Sequence, residues 1–114
     1  MSLVVNPYTL GEVLASVREE RYRQAKKFPR DYDHRKDGTG LPNDTAVADY
    51  AKLIVDSLAA KGKGIVTWRD ILHEEVCEAF AETDPVKLRE ELIQVAAVAV
   101  AWVETLERRI ATID

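Results

Sequence analysis

Cysteine is nearly absent from this chain. A single cysteine, Cys77, in 114 residues leaves no disulfide framework and no cysteine-based zinc pattern. Long apolar runs are missing too. The longest covers residues 95–103, well short of the roughly 20 residues that span a bilayer. No basic segment followed by an apolar stretch opens the chain, so no signal peptide is expected and a cytoplasmic protein is the default. Positive charge is in deficit, with 16 Lys/Arg against 20 Asp/Glu, a net charge of −4 and a pI of 5.2, which argues against a general nucleic-acid binder. The five glycines build no nucleotide loop. Asp37-Gly38-Thr39-Gly40 has too few glycines and the wrong flanks for a dinucleotide fingerprint, and Lys61-Gly62-Lys63-Gly64 lacks the full phosphate-loop pattern. Strand alternation, internal repeats and low-complexity tracts are likewise missing.

What remains is helical periodicity. Apolar residues make up 46% of the chain, enough for a core, and the length suits one domain. Thr9-Leu10-Gly11-Glu12 has the form of a capping box, with Leu10, Val13, Leu14 and Val17 as the apolar stripe of a first helix that ends near Lys27, before Pro29. Residues 29–43 read as a long loop, within which Asp37-Gly38-Thr39-Gly40 either closes over a ligand or forms a plain surface turn. A second helix begins at Asp44 or Thr45, with Val47, Tyr50, Ala51, Ile54, Val55 and Leu58 at helical spacing and Gly62 as its terminating glycine. Thr67 and Asp70 cap a third helix that runs to about Glu82, with Trp68, Leu72, Val76, Ala79 and Phe80 on one arc and Glu74, Glu75, Glu78 and Glu82 on another. Asp84 caps a fourth, with Pro85 in its first turn, reaching about Arg109. The expected fold is an all-α antiparallel four-helix bundle. Residues 92–103 are apolar around the helix apart from Gln94, so the last helix is expected to be buried on all sides, which implies a homodimer or homotetramer assembled through it.

Charge is divided along the chain. Eight of the Lys/Arg lie within residues 18–36, whereas residues 70–107 hold ten Asp/Glu against two Lys/Arg. Glu75 and Glu78 share a helical face at i, i+3, and Glu91 and Gln94 repeat that spacing after the Asp84-Pro85 turn. Folding the two segments back on each other places three or four carboxylates within two turns. Their repulsion would be offset by a divalent cation that favours oxygen ligands, such as Mg²⁺. The competing reading is a solvated acidic face, which charged helices commonly carry.

Glu74-Glu75-x-x-Glu78, followed by Glu91-x-x-Gln94 at the head of an apolar helix, resembles the all-α nucleoside triphosphate pyrophosphohydrolases, the MazG-like proteins. The resemblance covers about residues 67–107. It implies an enzyme that binds Mg²⁺, or Mn²⁺, through Glu75, Glu78, Glu91 and the residue at Gln94. Glu78 would serve catalysis with Glu74, the latter as an auxiliary ligand or as base for water. The implied reaction hydrolyses a nucleoside triphosphate to a monophosphate and pyrophosphate, as nucleotide housecleaning. The family pattern ends in Asp where this chain has Gln94. An amide oxygen can ligate Mg²⁺ but brings no charge, so a weaker site or one fewer metal ion is expected. The alternative is a catalytically decayed relative acting as a nucleotide-sensing or protein-interaction module.

Arg21, Arg23, Lys26, Lys27, Arg30, Arg35 and Lys36 are candidates for holding phosphates, with Lys26, Lys27 and Arg30 chosen as the binding set. Tyr22, Phe28, Tyr32 and Trp68 are aromatics that could stack on a base or serve as core. His34 and His73 form no ligand pair by spacing and read as surface histidines, and no base is expected beside Cys77. Neither nucleic acid nor membrane is expected as a partner.

Overall fold

The computed structural model describes residues 7–27 and 35–113, with side chains resolved in detail for 9–27 and 35–110. These residues form four α-helices and no strand: α1 (Pro7–Lys27), α2 (Asp44–Ala59), α3 (Trp68–Ala81) and α4 (Pro85–Ile113). None of them is long and apolar enough to cross a membrane. The chain divides into two compact units, residues 38–99 and residues 1–37 with 100–114, so that α4 contributes to both.

The helix boundaries follow local chemistry. α3 opens with a reciprocal capping box. The Asp70 N–H donates to Thr67 Oγ1 at 3.2 Å, and the Thr67 N–H donates to Asp70 Oδ2 at 2.9 Å. The Thr67 N–H and hydroxyl, both donating to Asp70 Oδ2, favour the charged carboxylate, so Asp70 titrates below the usual value. The α3–α4 turn is fixed by side chains as well. Glu82 Oε1 accepts from the Asp84 N–H at 3.0 Å, and Asp84 Oδ1 accepts from the Val86 N–H at 3.1 Å. α1 begins at Pro7, two residues before the expected cap at Thr9. Proline at a helix start has its φ already set and forgoes only an N–H that would have no partner there, so it displaces Thr9-Glu12 into the helix. α4 runs four residues past Arg109, since nothing in Ile110-Ala111-Thr112-Ile113 breaks a helix.

In the unit of residues 38–99, α2 and α3 pack against each other on small side chains. Ala48, Ala51 and Cys77 are buried, with Ala81 against them. Small residues at the seam let the two backbones approach closely. The arc expected to form the core of α3 is only partly inside: Ala79 is buried, whereas Phe80 is 57% exposed and Cys77 takes the inner position instead. The described end of the loop is anchored here. The Gly40 N–H donates to the Phe80 carbonyl at 2.8 Å, where it satisfies one of the last carbonyls of α3. Gly40 sits at φ 80°, and a Cβ there would collide with the Thr83 side chain. In the other unit Val13 and Glu104 are buried.

On the single protomer, one side of α4 is covered and another is open. One row along it, Leu88, Glu91, Val95, Val98, Trp102 and Thr105, is buried or half-buried. A neighbouring row is open to solvent, with Leu92 51%, Val103 40%, Leu106 40% and Ile110 59% exposed, and Ile93 is 56% exposed. Gln94 is exposed as well, so on the protomer it is not the buried amide that its apolar neighbours suggested.

Candidate metal centre

The acidic residues of α3 and α4 form one cluster in the unit of residues 38–99. Glu74, Glu75 and Glu78 occupy adjacent turns of α3, all half-buried, and each offers a carboxylate oxygen within 4.8 Å of the others. Glu91 on α4 joins them. It lies close enough to Glu75 and Glu78 for its charge to act on Glu75, and within hydrogen-bonding reach of Glu78. The i, i+3 spacing on α3 and the short turn at Asp84-Pro85 are what bring these side chains together, as the sequence pattern predicts.

The electrostatics are unfavourable for three free carboxylates. Burial pushes the Glu75 carboxyl up, and the charges of Glu78 and Glu91 add to this. Burial also raises Glu78, helped by Glu74, while Glu91 and the cation of Lys52 pull it back. Burial raises Glu91, and Glu78, Glu82 and Glu90 add to that. Both carboxyls of the Glu78–Glu91 pair are thus held above the ordinary glutamate value, with burial as the main cause. Glu75 Oε2 and Glu91 Oε2 are both buried without a hydrogen-bond partner. A buried carboxylate oxygen normally has a donor or a cation. These two have no hydrogen-bond partner from the protein, and they belong to a set of hard oxygen donors. The residues present therefore fit a hard divalent cation such as Mg²⁺ or Mn²⁺.

Lys52 of α2 was not among the cations singled out from the sequence. It is exposed, and it lies near enough to lower the Glu78 pKa. Its place depends on how α2 packs on α3, which no local pattern announces. Lys26 and Lys27 are exposed in the last turn of α1, in the other unit. Arg35 and Lys36 are exposed in the loop. Arg30, together with Phe28, Tyr32 and His34, lies outside the described residues. Of the aromatics, Tyr22 is 60% exposed with the Arg18 guanidinium 5.8 Å from its ring centre, and Trp68 is half-buried at the start of α3. Gln94 stands nearly one turn beyond Glu91.

The expectation that no base lies beside Cys77 is overturned. His73 Nε2 is 3.6 Å from Cys77 Sγ, one helical turn away on α3. The spacing i, i+4 could have signalled the pair, but pairing histidine only with histidine passes over it. Burial raises the Cys77 thiol above its ordinary value, and the nearby carboxylates of Asp44 and Glu78 add to this.

No family model, no curated protein and no solved structure matches this chain.

Proposed function

We propose that this protein is a Mg²⁺-dependent nucleoside triphosphate pyrophosphohydrolase of the MazG-like kind, which releases pyrophosphate and a nucleoside monophosphate. The observation that carries the reading is the pair of buried, unpartnered oxygens, Glu75 Oε2 on α3 and Glu91 Oε2 on α4, whose carboxyls both lie near the charge of Glu78. Glu75, Glu78 and Glu91 would hold the ion, with the exposed amide of Gln94 as a neutral fourth donor. Bound there, Mg²⁺ supplies charge neutralisation for the phosphates and lowers the pKa of a coordinated water. Glu74, beside Glu78, accepts the proton of the attacking water. Water adds between the α and β phosphates, and pyrophosphate leaves. Lys52 contributes a cation at the edge of the cluster, suited to a distal phosphate. A cytoplasmic setting with a triphosphate substrate completes the reading.

The same proposal includes self-association as a dimer or tetramer of antiparallel bundles. The buried apolar residues are few and mostly small: Val13, Ala48, Ala51, Cys77, Ala79 and Leu88. Among the described residues many large apolar side chains stay well exposed, Leu92 and Ile110 among them. On α4 the residues Leu92, Ala96, Ala99, Val103, Leu106 and Ile110 recur at alternating four- and three-residue steps, the spacing of a coiled-coil seam. A row so spaced and so exposed suits a second copy of the chain.

Pyrophosphate release from a panel of canonical and modified nucleoside triphosphates, with Mg²⁺ and with Mn²⁺, tests the activity. Release by the wild type and not by Glu78→Gln supports the enzyme. If the wild type is silent, Gln94→Asp is the next variant. Restored turnover would identify a decayed pyrophosphohydrolase, and continued silence would favour an interaction module.

A further inference from the structure

Asp37-Gly38 has no part in the chemistry proposed above. It is the one place in the chain where an aspartate precedes a glycine. An aspartyl carboxyl stands close to the amide nitrogen of the residue after it, and attack by that nitrogen closes a five-membered succinimide ring. Folded proteins suppress this reaction in two ways. A side chain on the following residue crowds the nitrogen, which glycine does not do. Hydrogen bonds hold the carboxyl or the amide away from the reactive geometry.

The structure lifts both restraints at this dipeptide and at no other described aspartate. Asp37 and Gly38 are exposed and lie within residues 35–41, which form no helix or strand. Among the described residues, no hydrogen bond or ion pair holds the Asp37 carboxylate or the Gly38 N–H. Gly38 sits at φ 74°, and a Cβ built there would meet nothing within 4 Å, so the residue stands in open space. The other aspartates are restrained. Asp44 Oδ2 accepts the Leu41 N–H at 2.8 Å, and Asp70 Oδ2 is held by Thr67. Asp84 accepts the Val86 N–H and precedes Pro85, which has no N–H to offer. Asp49 and Asp56 lie within α2, where the following amides are tied into the helix.

We propose that Asp37-Gly38 is a site of spontaneous covalent modification, at which aspartate isomerises to isoaspartate through a succinimide. The Gly38 nitrogen attacks Cγ of the protonated Asp37 carboxyl. The N–C bond forms, the carboxyl C–O bond breaks, and the hydroxyl leaves as water with the amide proton. Water then opens the ring at one of its two carbonyls. Opening at the side-chain carbonyl restores aspartate. Opening at the main-chain carbonyl gives isoaspartate, with the same mass and one more carbon in the main chain. Gly40 is tethered by its N–H to the Phe80 carbonyl at 2.8 Å, so the added length falls before this anchor and the packing of α2 on α3 is kept. This inference does not depend on the pyrophosphohydrolase reading, and its test reads no activity.

The test incubates the full chain in neutral buffer at body temperature, beside a synthetic peptide of residues 35–42 as the unstructured reference. Isoaspartate is read with an isoaspartyl methyltransferase and labelled S-adenosylmethionine. Fragmentation of the tryptic peptide that begins at Asp37 places it in the sequence. The wild type should form isoaspartate at Asp37 at no less than about one tenth of the peptide's rate, since a segment without protecting contacts reacts much as a free chain does. Asp37→Glu should lose the signal, because its ring would have six members and closes far more slowly. Asp37 is exposed and holds no partner, so this variant should keep its helical circular dichroism. A wild type slower than about one tenth of the peptide would show that the fold restrains this dipeptide, and would overturn the site. So would a signal that persists unchanged in Asp37→Glu, which would place the reaction at another residue.

Discussion

Glu91 on α4 and Glu78 on α3 lie within hydrogen-bonding reach of each other, and burial raises the carboxyl pKa of both. Two carboxylates this close are poised between repulsion and metal binding. A bound cation would offset that repulsion and satisfy the buried Oε2 of Glu91 and of Glu75.

The first prediction concerns the metal itself. Mg²⁺ should raise the melting temperature of the wild type, because a ligand that binds only the folded state stabilises it, by ~2.7 kcal/mol at about 100 times its Kd. Glu75→Gln and Glu91→Gln should each reduce or remove that increase. Without metal the same variants should be no less stable than the wild type, and more stable by a few tenths to about 1 kcal/mol, since an amide ends the repulsion and can donate to its neighbour. Thermal melts in EDTA and in Mg²⁺ measure both effects. An equal Mg²⁺ response in all three proteins would remove the centre from these residues.

A second prediction is the sign of the pH dependence. Glu75, Glu78 and Glu91 all titrate above the ordinary glutamate value of 4.5 in the folded protein. The folded state then binds more protons than the unfolded one between that value and the raised values, and stability falls as pH rises through this window. In EDTA these three carboxylates should therefore favour the fold most at or below about pH 4.5, an advantage lost on going toward neutral pH. Mg²⁺ should reverse the trend, because it binds the deprotonated groups. The difference between melting temperatures with and without Mg²⁺ should grow with pH, and a flat difference would count against metal binding by these carboxylates.

Gly40 offers a test of the loop anchor. Its φ of 80° disfavours any side chain, and a Cβ would meet Thr83. Gly40→Ala should cost about 1–3 kcal/mol in urea unfolding. Thr83→Ala in the same chain should recover the part due to the collision and leave the part due to backbone strain. Full recovery would mean that φ at this position is free to relax.

Much of this arrangement was legible in the sequence, and the reasons differ by residue. Thr67-x-x-Asp70 and Asp84-Pro85 act within one helical turn, so their roles follow from local chemistry and appear as expected. Glu75, Glu78 and Glu91 could be grouped because a short turn fixes which helix faces meet. Lys52 could not, since its nearness to Glu78 depends on the packing of α2 on α3. The exposed row on α4 was hidden by its composition: a run of Ala and Val looks apolar on every side, and only the fold separates the row beside Glu91 from the row at Leu92.

Lys52 gives a prediction that separates substrate from metal. Lys52→Met removes a cation that lowers the Glu78 pKa. If Lys52 holds a distal phosphate, KM for the triphosphate should rise roughly tenfold or more, the loss of one charge-assisted bond worth about 1.5–3 kcal/mol. The Mg²⁺-induced rise in melting temperature should be kept or enlarged, because one competing positive charge has left the cluster. A parallel loss of both would make Lys52 a structural support for the carboxylates.

The seam on α4 can be tested without reference to activity. Val103 and Leu106 are each 40% exposed and belong to the row that alternates by four and three residues. If this row packs against a second copy, Val103→Lys or Leu106→Lys would bury a charge without a partner in the interface, at a cost of several kcal/mol. Light scattering should then show the wild type as a dimer or tetramer and the variants at protomer mass. Both variants should keep their helical circular dichroism, because each changed side chain already faces solvent on the protomer. A wild type that runs as a monomer at high concentration would reject self-association through this helix, and the exposed apolar row would then call for a different partner chain.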